Sequence, residues 1–355
     1  MTCTYTMSRS YVWNYEHGPR LHGRIPRVPE GPGGRVLGYR VRSRLGVSAG
    51  PLLNAKWVRT YARLGYDILT YKTVRTRYRP CFSLPNVLVA EATGQLEGAD
   101  VKEPVVVAAA QRPERVPTIA ISFGMPSMDP DVWRRDVRRA REALGPGQIL
   151  VVGTVGSAGP SRDPMALAED FADCAALAAG AGAHVVEVHL ACPNTADEHP
   201  CMIYEDHDLT EHIVETVRRR IKGHPAIVKL GFCPGPEALR DLVRRVARHM
   251  DGVLLMNGIQ RPVLRPDGTP AFPGAHRRLA GVSGDGTRAA SLSVLREALA
   301  ARTALGLDIE VWAVGGLSTP EDLRAAGAMG ADATLVATAA MFDPLLAIRT
   351  KAATP

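Results

Sequence analysis

Eight short apolar runs, each followed by an amphipathic stretch of helical period, constrain this chain more than any other feature. The runs are Gly46–Gly50, Tyr66–Lys72, Gln148–Thr154, His184–Leu190, Ala226–Leu230, Gly252–Asn257, Glu310–Gly315 and Ala333–Thr338. The helical stretches are Asn54–Leu64, Asp129–Leu144, Met165–Ala181, Leu209–Ile221, Pro236–His249, Ala289–Thr303, Pro320–Ala328 and a last one from Ala339. Strands separated by such helices form parallel βαβ units, because the crossover must travel back along the sheet before the next strand starts. Eight units predict closure into a (β/α)₈ TIM barrel. A doubly wound open sheet is the alternative, but no strand is followed by the GxGxxG of dinucleotide-binding folds. No repeat of fixed short period points to a solenoid.

The 355 residues, 46% hydrophobic, suffice for one large core, and barrels of this length are single domains. We place the barrel domain at 41–355. Residues 1–40 form an N-terminal extension without clear periodicity, containing Pro26-Arg-Val-Pro29 and Gly31-Pro-Gly-Gly34. It does not read as a pair of membrane-docking helices. Two connections are too long for simple loops, about 73–129 and 258–287. The first holds strand-like runs at Val105–Ala108 and Thr118–Ser122; the second is rich in Pro, Gly and Arg. Both follow strands, so both belong on the C-terminal face, where barrel active sites form.

No stretch approaches the roughly 18 apolar residues of a membrane helix. The first residues lack a basic-then-apolar export signal, so we expect a cytoplasmic protein with no membrane partner. The net charge of +7 is carried largely by Arg. The segment Trp133-Arg-Arg-Asp-Val-Arg-Arg-Ala-Arg141 has helical spacing and reads as a solvated face rather than a nucleic-acid surface. The six cysteines, Cys3, Cys81, Cys174, Cys192, Cys201 and Cys233, include no pair at CxxC spacing. We expect neither a metal nor disulfides.

Polar residues collect at strand ends, as an active site requires. Lys72 and Lys229 each end an apolar run, in a chain with only six lysines; such ammonium groups can hold negative charge on a ring or phosphate. Asn257 can donate to and accept from a planar amide ligand. Gly315-Gly316 lets backbone approach a phosphate, with a helix start at Ser318-Thr319-Pro320 and the Ala337-Thr338 turn beside it. Cys192, followed by Pro193, lies just past a strand end, where a thiol can move a proton to or from carbon.

In order, these segments resemble the dihydroorotate dehydrogenase family over about Gly46 to Phe342. Ser48-Ala49-Gly50 resembles its opening Ala-Ser-Gly strand, and Tyr71-Lys72-Thr73 its Thr-Lys-Thr strand end. Ser122-Phe-Gly-Met-Pro126 is similar to Asn-Ser-Met-Gly-Leu-Pro, and Val186-Glu-Val-His-Leu-Ala-Cys-Pro-Asn-Thr195 to Glu-Leu-Asn-Leu-Ser-Cys-Pro-Asn. Val228-Lys229-Leu230, Val282-Ser-Gly284 and Gly315-Gly316 also fit. The resemblance implies FMN, contacted by Ala49, Gly50, Lys72, Thr73, Lys229, Asn257, Ser283, Gly284, Gly315, Gly316, Ala337 and Thr338. It implies a small cyclic substrate near Ser122, Gly124, Met125, His189, Asn194 and Asn257. It further implies Cys192 as acid–base, the choice of the soluble class of the family, with His189 and Lys72 as further catalytic candidates. A homodimer serving pyrimidine metabolism is the expected setting.

Four departures bear on the substrate. Of the family's substrate-gripping Asn residues, Asn194 and Asn257 are kept but two others are Ile121 and His189 here, the Ser after the strand-six Asn is Gly258, and the last phosphate-loop Gly is Ala337. Each lost polar partner costs about 1–3 kcal/mol, so the expected substrate is dihydropyrimidine-like but not dihydroorotate. His189 could bond another ring substituent or carry a second proton. The alternatives are a tRNA-dihydrouridine-synthase-like flavoenzyme, whose Asn-x-Gly-Cys-Pro segment is similar around Cys192, and a non-catalytic flavin-binding relative.

Overall fold

Each of the eight apolar runs overlaps a strand in the computed structural model, which describes residues 3–92, 95–96, 103–109, 115–157, 163–191, 202–233, 235–274 and 277–353. The strands are β1 (Leu45–Val47), β2 (Ile68–Val74), β3 (Ile149–Thr154), β4 (Val185–His189), β5 (Ala226–Lys229), β6 (Gly252–Leu255), β7 (Glu310–Val314) and β8 (Ala333–Val336). They pair in parallel, in sequence order, and β8 closes on β1. Every residue of β2, β3 and β4 is buried, as expected of parallel strands covered on both faces.

The helices between them begin where the chemistry predicts. Proline occupies the first turn at Pro130, Pro164, Pro236 and Pro320, where its missing N–H costs nothing. Asn54, Asp163, Asp206 and Thr319 cap their helices with side-chain oxygens. The Arg-rich helix Pro130–Glu142 buries Trp133, Val137 and Ala140. Its Arg135, Arg138, Arg139 and Arg141 are exposed, a solvated face.

The N-terminal extension is packed rather than loose. Thr4 N–H donates to the Met341 carbonyl at 2.8 Å, and Tyr5 and Tyr11 are buried near the C-terminal end of the barrel. A short helix, Tyr11–His17, follows. The chain then reaches the opposite end, where Gly34–Val36 and Tyr39–Val41 form an antiparallel hairpin. Val36 and Val41 pack onto Ile68, Ile149, Val185 and Ile227, near the starts of four strands. Leu37 N–H donates to Glu310 at 2.6 Å. The hairpin thus plugs the N-terminal mouth of the barrel.

The two insertions build one structure together. Val87–Glu91, Val105–Val107 and Thr118–Ile121 from the first join Ile259–Leu264 and Leu279–Gly284 from the second in a five-stranded closed sheet. The strands of the second insertion are hidden in the sequence because Arg261 occupies a fully buried position and Pro262 the alternate one. Arg277 ties the insertions: its guanidinium donates to the Ser122 hydroxyl at 2.9 Å and the Ser83 carbonyl at 2.9 Å, between the rings of Phe82 and Phe272.

One half-buried imidazole gives this fold an acid limit. Leu150 N–H donates to His184 Nδ1 at 2.8 Å. Burial, with Arg141 and His224 nearby, lowers the His184 pKa from 6.5 to about 4. A protonated ring would lose that acceptor. The folded state therefore binds fewer protons than the unfolded chain between these values, and the contribution is complete above pH 6.5 and lost as pH falls toward 4. Thermal melts should show Tm falling across this window, and a His184→Gln variant should show a shallower decline. An equal decline in the variant would assign the loss to other groups.

Candidate active site

The C-terminal strand ends and the five-stranded sheet face each other across one cleft. Its floor is Ala49 and Gly50 after β1, Lys72 and Thr73 on β2, His189 on β4, Lys229 on β5 and Asn257 after β6. Gly315 and Gly316 after β7 and Ala337 and Thr338 after β8 form one end. The wall contributed by the insertions is Ile119, Ile121, Phe123, Met125, Ser283 and Gly284.

The two lysines are desolvated cations. Lys229 is 2% exposed, and its ammonium donates to Ser48 Oγ at 2.9 Å. Lys72 Nζ lies 3.9 Å from the Phe123 ring centroid and 5.0 Å from that of Tyr11, an electrostatically favourable seat for a cation. Asn257 donates its side-chain amide to the Ala191 carbonyl, and its backbone N–H bonds the Leu230 carbonyl at 2.9 Å. These contacts tie the segment after β6 to those after β4 and β5.

At the glycine end, side chains are excluded by geometry. Gly316 has φ +67°, and a Cβ there would stand 2.5 Å from the Arg288 backbone nitrogen. A Cβ on Gly315 would lie 2.8 Å from Ser291 Oγ. The backbone is bare because nothing else fits, and bare N–H groups beside the Thr338 hydroxyl suit a phosphate. The helix start nearby does not add to it, contrary to the sequence expectation. Asp322 accepts from the N–H groups of Ser318 and Thr319 at 3.0 and 3.1 Å, so the start of helix Pro320–Ala328 is capped from within.

His189 sits deep in the floor with Glu187 beside it, Nδ1 to Oε1 3.4 Å. Burial lowers the His189 pKa and Lys229 lowers it further, against the pull of Glu187. The ring is therefore held toward its neutral form.

All the residues expected at the cofactor line the cleft, as do His189, Met125 and Asn257. Ser122 and Gly124, expected at the substrate, do not line it. Along this segment the odd-numbered residues Ile119, Ile121, Phe123 and Met125 line the cleft, and the even-numbered ones between them do not. Ser122 accordingly meets Arg277, and the Gly124 carbonyl accepts from Arg79 at 2.8 Å. Cys192 and Asn194 lie outside the described residues. The sequence reading missed Tyr5, Phe123 and Glu187. Period-two alternation from Met125 and from His189 would have found the last two; nothing in the pattern of the extension marks Tyr5.

A closed barrel with a glycine-lined phosphate end, two buried lysines and an apolar-walled slot between them defines a flavin-binding barrel oxidoreductase. The donor set fits FMN: bare backbone and Thr338 for the phosphate, and Lys72, Lys229 and Asn257 for the polar edge of the ring. Residues 36–350 match the family model of dihydroorotate dehydrogenase, and the chain belongs to that family. A dihydroorotate dehydrogenase of Dictyostelium discoideum is 30% identical over 362 residues, covering 97% of this chain and 95% of that protein. The crystal structure of the Eimeria tenella enzyme in complex with ferulenol superposes with a TM-score of 0.72 at 16% identity, over 96% of this chain and 88% of that one. Members of the family bind FMN and are dehydrogenases of a CH–CH bond, and this chain is such an FMN-dependent oxidoreductase. Among the described residues no helix is long and apolar enough to cross a membrane.

Proposed function

We propose that the enzyme interconverts a small dihydropyrimidine-like ring and its unsaturated form, with Cys192 as acid–base, and that dihydroorotate is not its preferred substrate. The observation that carries the substrate reading is the wall of Ile119, Ile121, Phe123 and Met125. Four successive cleft-facing positions offer no hydrogen bond to a polar ring edge, and the one hydroxyl in the segment, Ser122, is spent on Arg277. Such a wall favours a ring less polar than dihydroorotate.

FMN supplies the hydride acceptor or donor for this chemistry when bound. The chain supplies the rest. Lys72 and Lys229 place positive charge against the polar edges of the slot, Asn257 and His189 orient the substrate ring, and the aromatic cluster of Tyr5, Tyr11 and Phe123 excludes water from Lys72. Cys192 moves the proton at the ring carbon.

The double variant Ile121→Asn/His189→Asn tests the substrate reading. Two restored partners at about 1–3 kcal/mol each should raise kcat/KM for dihydroorotate at least about tenfold, while the native substrate loses. A wild-type enzyme that already prefers dihydroorotate, with no gain in the variant, would contradict it.

A further inference from the structure

Glu187 and His189 are successive inward-facing residues of β4, and both are buried. The carboxylate sits just beneath the cleft floor. A Cβ added to Gly153 would lie 3.5 Å from Glu187 Oε1, 3.5 Å from Thr73 Cα and 3.6 Å from Ala49 Cβ, and both Thr73 and Ala49 line the cleft. Among the described residues neither oxygen of Glu187 has a hydrogen-bond partner, and neither does His189 Nδ1, 3.4 Å from Oε1. A fully buried carboxylate without a donor is expensive, and the adjacent ring nitrogen can relieve it by carrying a proton.

We infer that Glu187 is a positioning residue that keeps the His189 proton on Nδ1, so that Nε2 meets the substrate as a hydrogen-bond acceptor. The inference deepens the functional reading above and rests on it for the nature of the ligand. An asparagine at this position presents both a donor and an acceptor and can rotate to suit either. A neutral imidazole held by a carboxylate at Nδ1 offers only a lone pair at Nε2. The cleft then selects a ring with an N–H or O–H at this point, such as a lactam, and rejects one that is N-alkylated there. Lys229 reinforces this from the neighbouring strand, where it is in register with His189, by disfavouring a second proton on the ring.

The tautomer can be read without turnover. Nitrogen NMR of the FMN-loaded enzyme grown on isotope-labelled histidine gives one pair of ring signals for each of the ten histidines, and His189→Asn identifies the pair that disappears. We expect a protonated Nδ1 and an unprotonated Nε2 in the wild type. Glu187→Ala should shift the population toward the Nε2–H form. Glu187→Gln, whose amide oxygen can still accept, should keep the wild-type pattern. An Nε2–H ring in the wild type, or no change in Glu187→Ala, overturns the assignment; if Glu187→Ala does not fold, the wild-type and Glu187→Gln spectra decide. Ligand selection is read with dihydrouracil and its N-methylated forms as probes, through perturbation of the flavin absorbance. One methylated form should bind at least about tenfold more weakly, a gap that closes in Glu187→Ala. Equal binding of all forms would overturn the selectivity. An enzyme that turns over no dihydropyrimidine would overturn the functional reading instead, and the spectrum would still decide the role of Glu187.

Discussion

Replacing Cys192 with alanine is expected to slow the exchange of electrons between substrate and flavin by about 10²–10⁴-fold, the usual worth of a positioned acid–base group, with FMN still bound. The chain reaches Cys192 from a firmly held point. Leu190 N–H donates to the Lys229 carbonyl at 3.1 Å, and Asn257 holds the Ala191 carbonyl, one residue before the thiol. None of the cofactor contacts proposed above involves Cys192, so the flavin spectrum and FMN affinity should match the wild type. Stopped-flow absorbance with the preferred substrate separates the two effects. A Cys192→Ala rate within a few-fold of wild type would remove the thiol from the mechanism and point to His189 as the proton carrier.

Gly316→Ala should release the cofactor. The residue has φ +67°, and the new methyl group would stand 2.5 Å from the Arg288 nitrogen and 2.6 Å from its Cα. These are backbone atoms, which cannot rotate aside. Backbone strain of about 1–3 kcal/mol combines with an overpacking cost of about 1–3 kcal/mol, and the chain escapes both by moving the loop that faces the phosphate. Each 1.4 kcal/mol is tenfold in affinity, so FMN should bind about 30-fold to about 20,000-fold more weakly. Gly327→Ala is the matched control, because a Cβ there meets nothing within 4 Å. Fluorescence titration of the apoprotein with FMN reads both. Wild-type affinity in Gly316→Ala would mean that this loop does not hold the phosphate.

The barrel was legible because its strands are short, mostly apolar runs, buried on both faces, and its helices carry their own stop and start residues. The cofactor side of the cleft was legible for a related reason: lysines and glycines at strand ends stand out against apolar surroundings. Elsewhere the physics that holds the structure is not local. Arg261 is buried in a strand that an apolar–polar pattern would reject, and Tyr5 reaches the cleft from a segment with no period at all. Ser122 belongs to the family motif, but its hydroxyl is bonded to Arg277. Its neighbours Ile121 and Phe123 line the cleft, and Ser122 does not. Asp322 likewise consumed the N–H groups of Ser318 and Thr319 that the sequence pattern left open for phosphate.

The most direct test of this account is anaerobic mixing of the purified protein with dihydroorotate and with less polar dihydropyrimidines such as dihydrouracil, followed by flavin absorbance. The protein should be yellow as isolated, and a less polar dihydropyrimidine, or its unsaturated counterpart added to the reduced enzyme, should change the flavin spectrum faster than dihydroorotate or orotate does. A colourless protein that takes up no FMN, or fastest exchange with dihydroorotate, would contradict it.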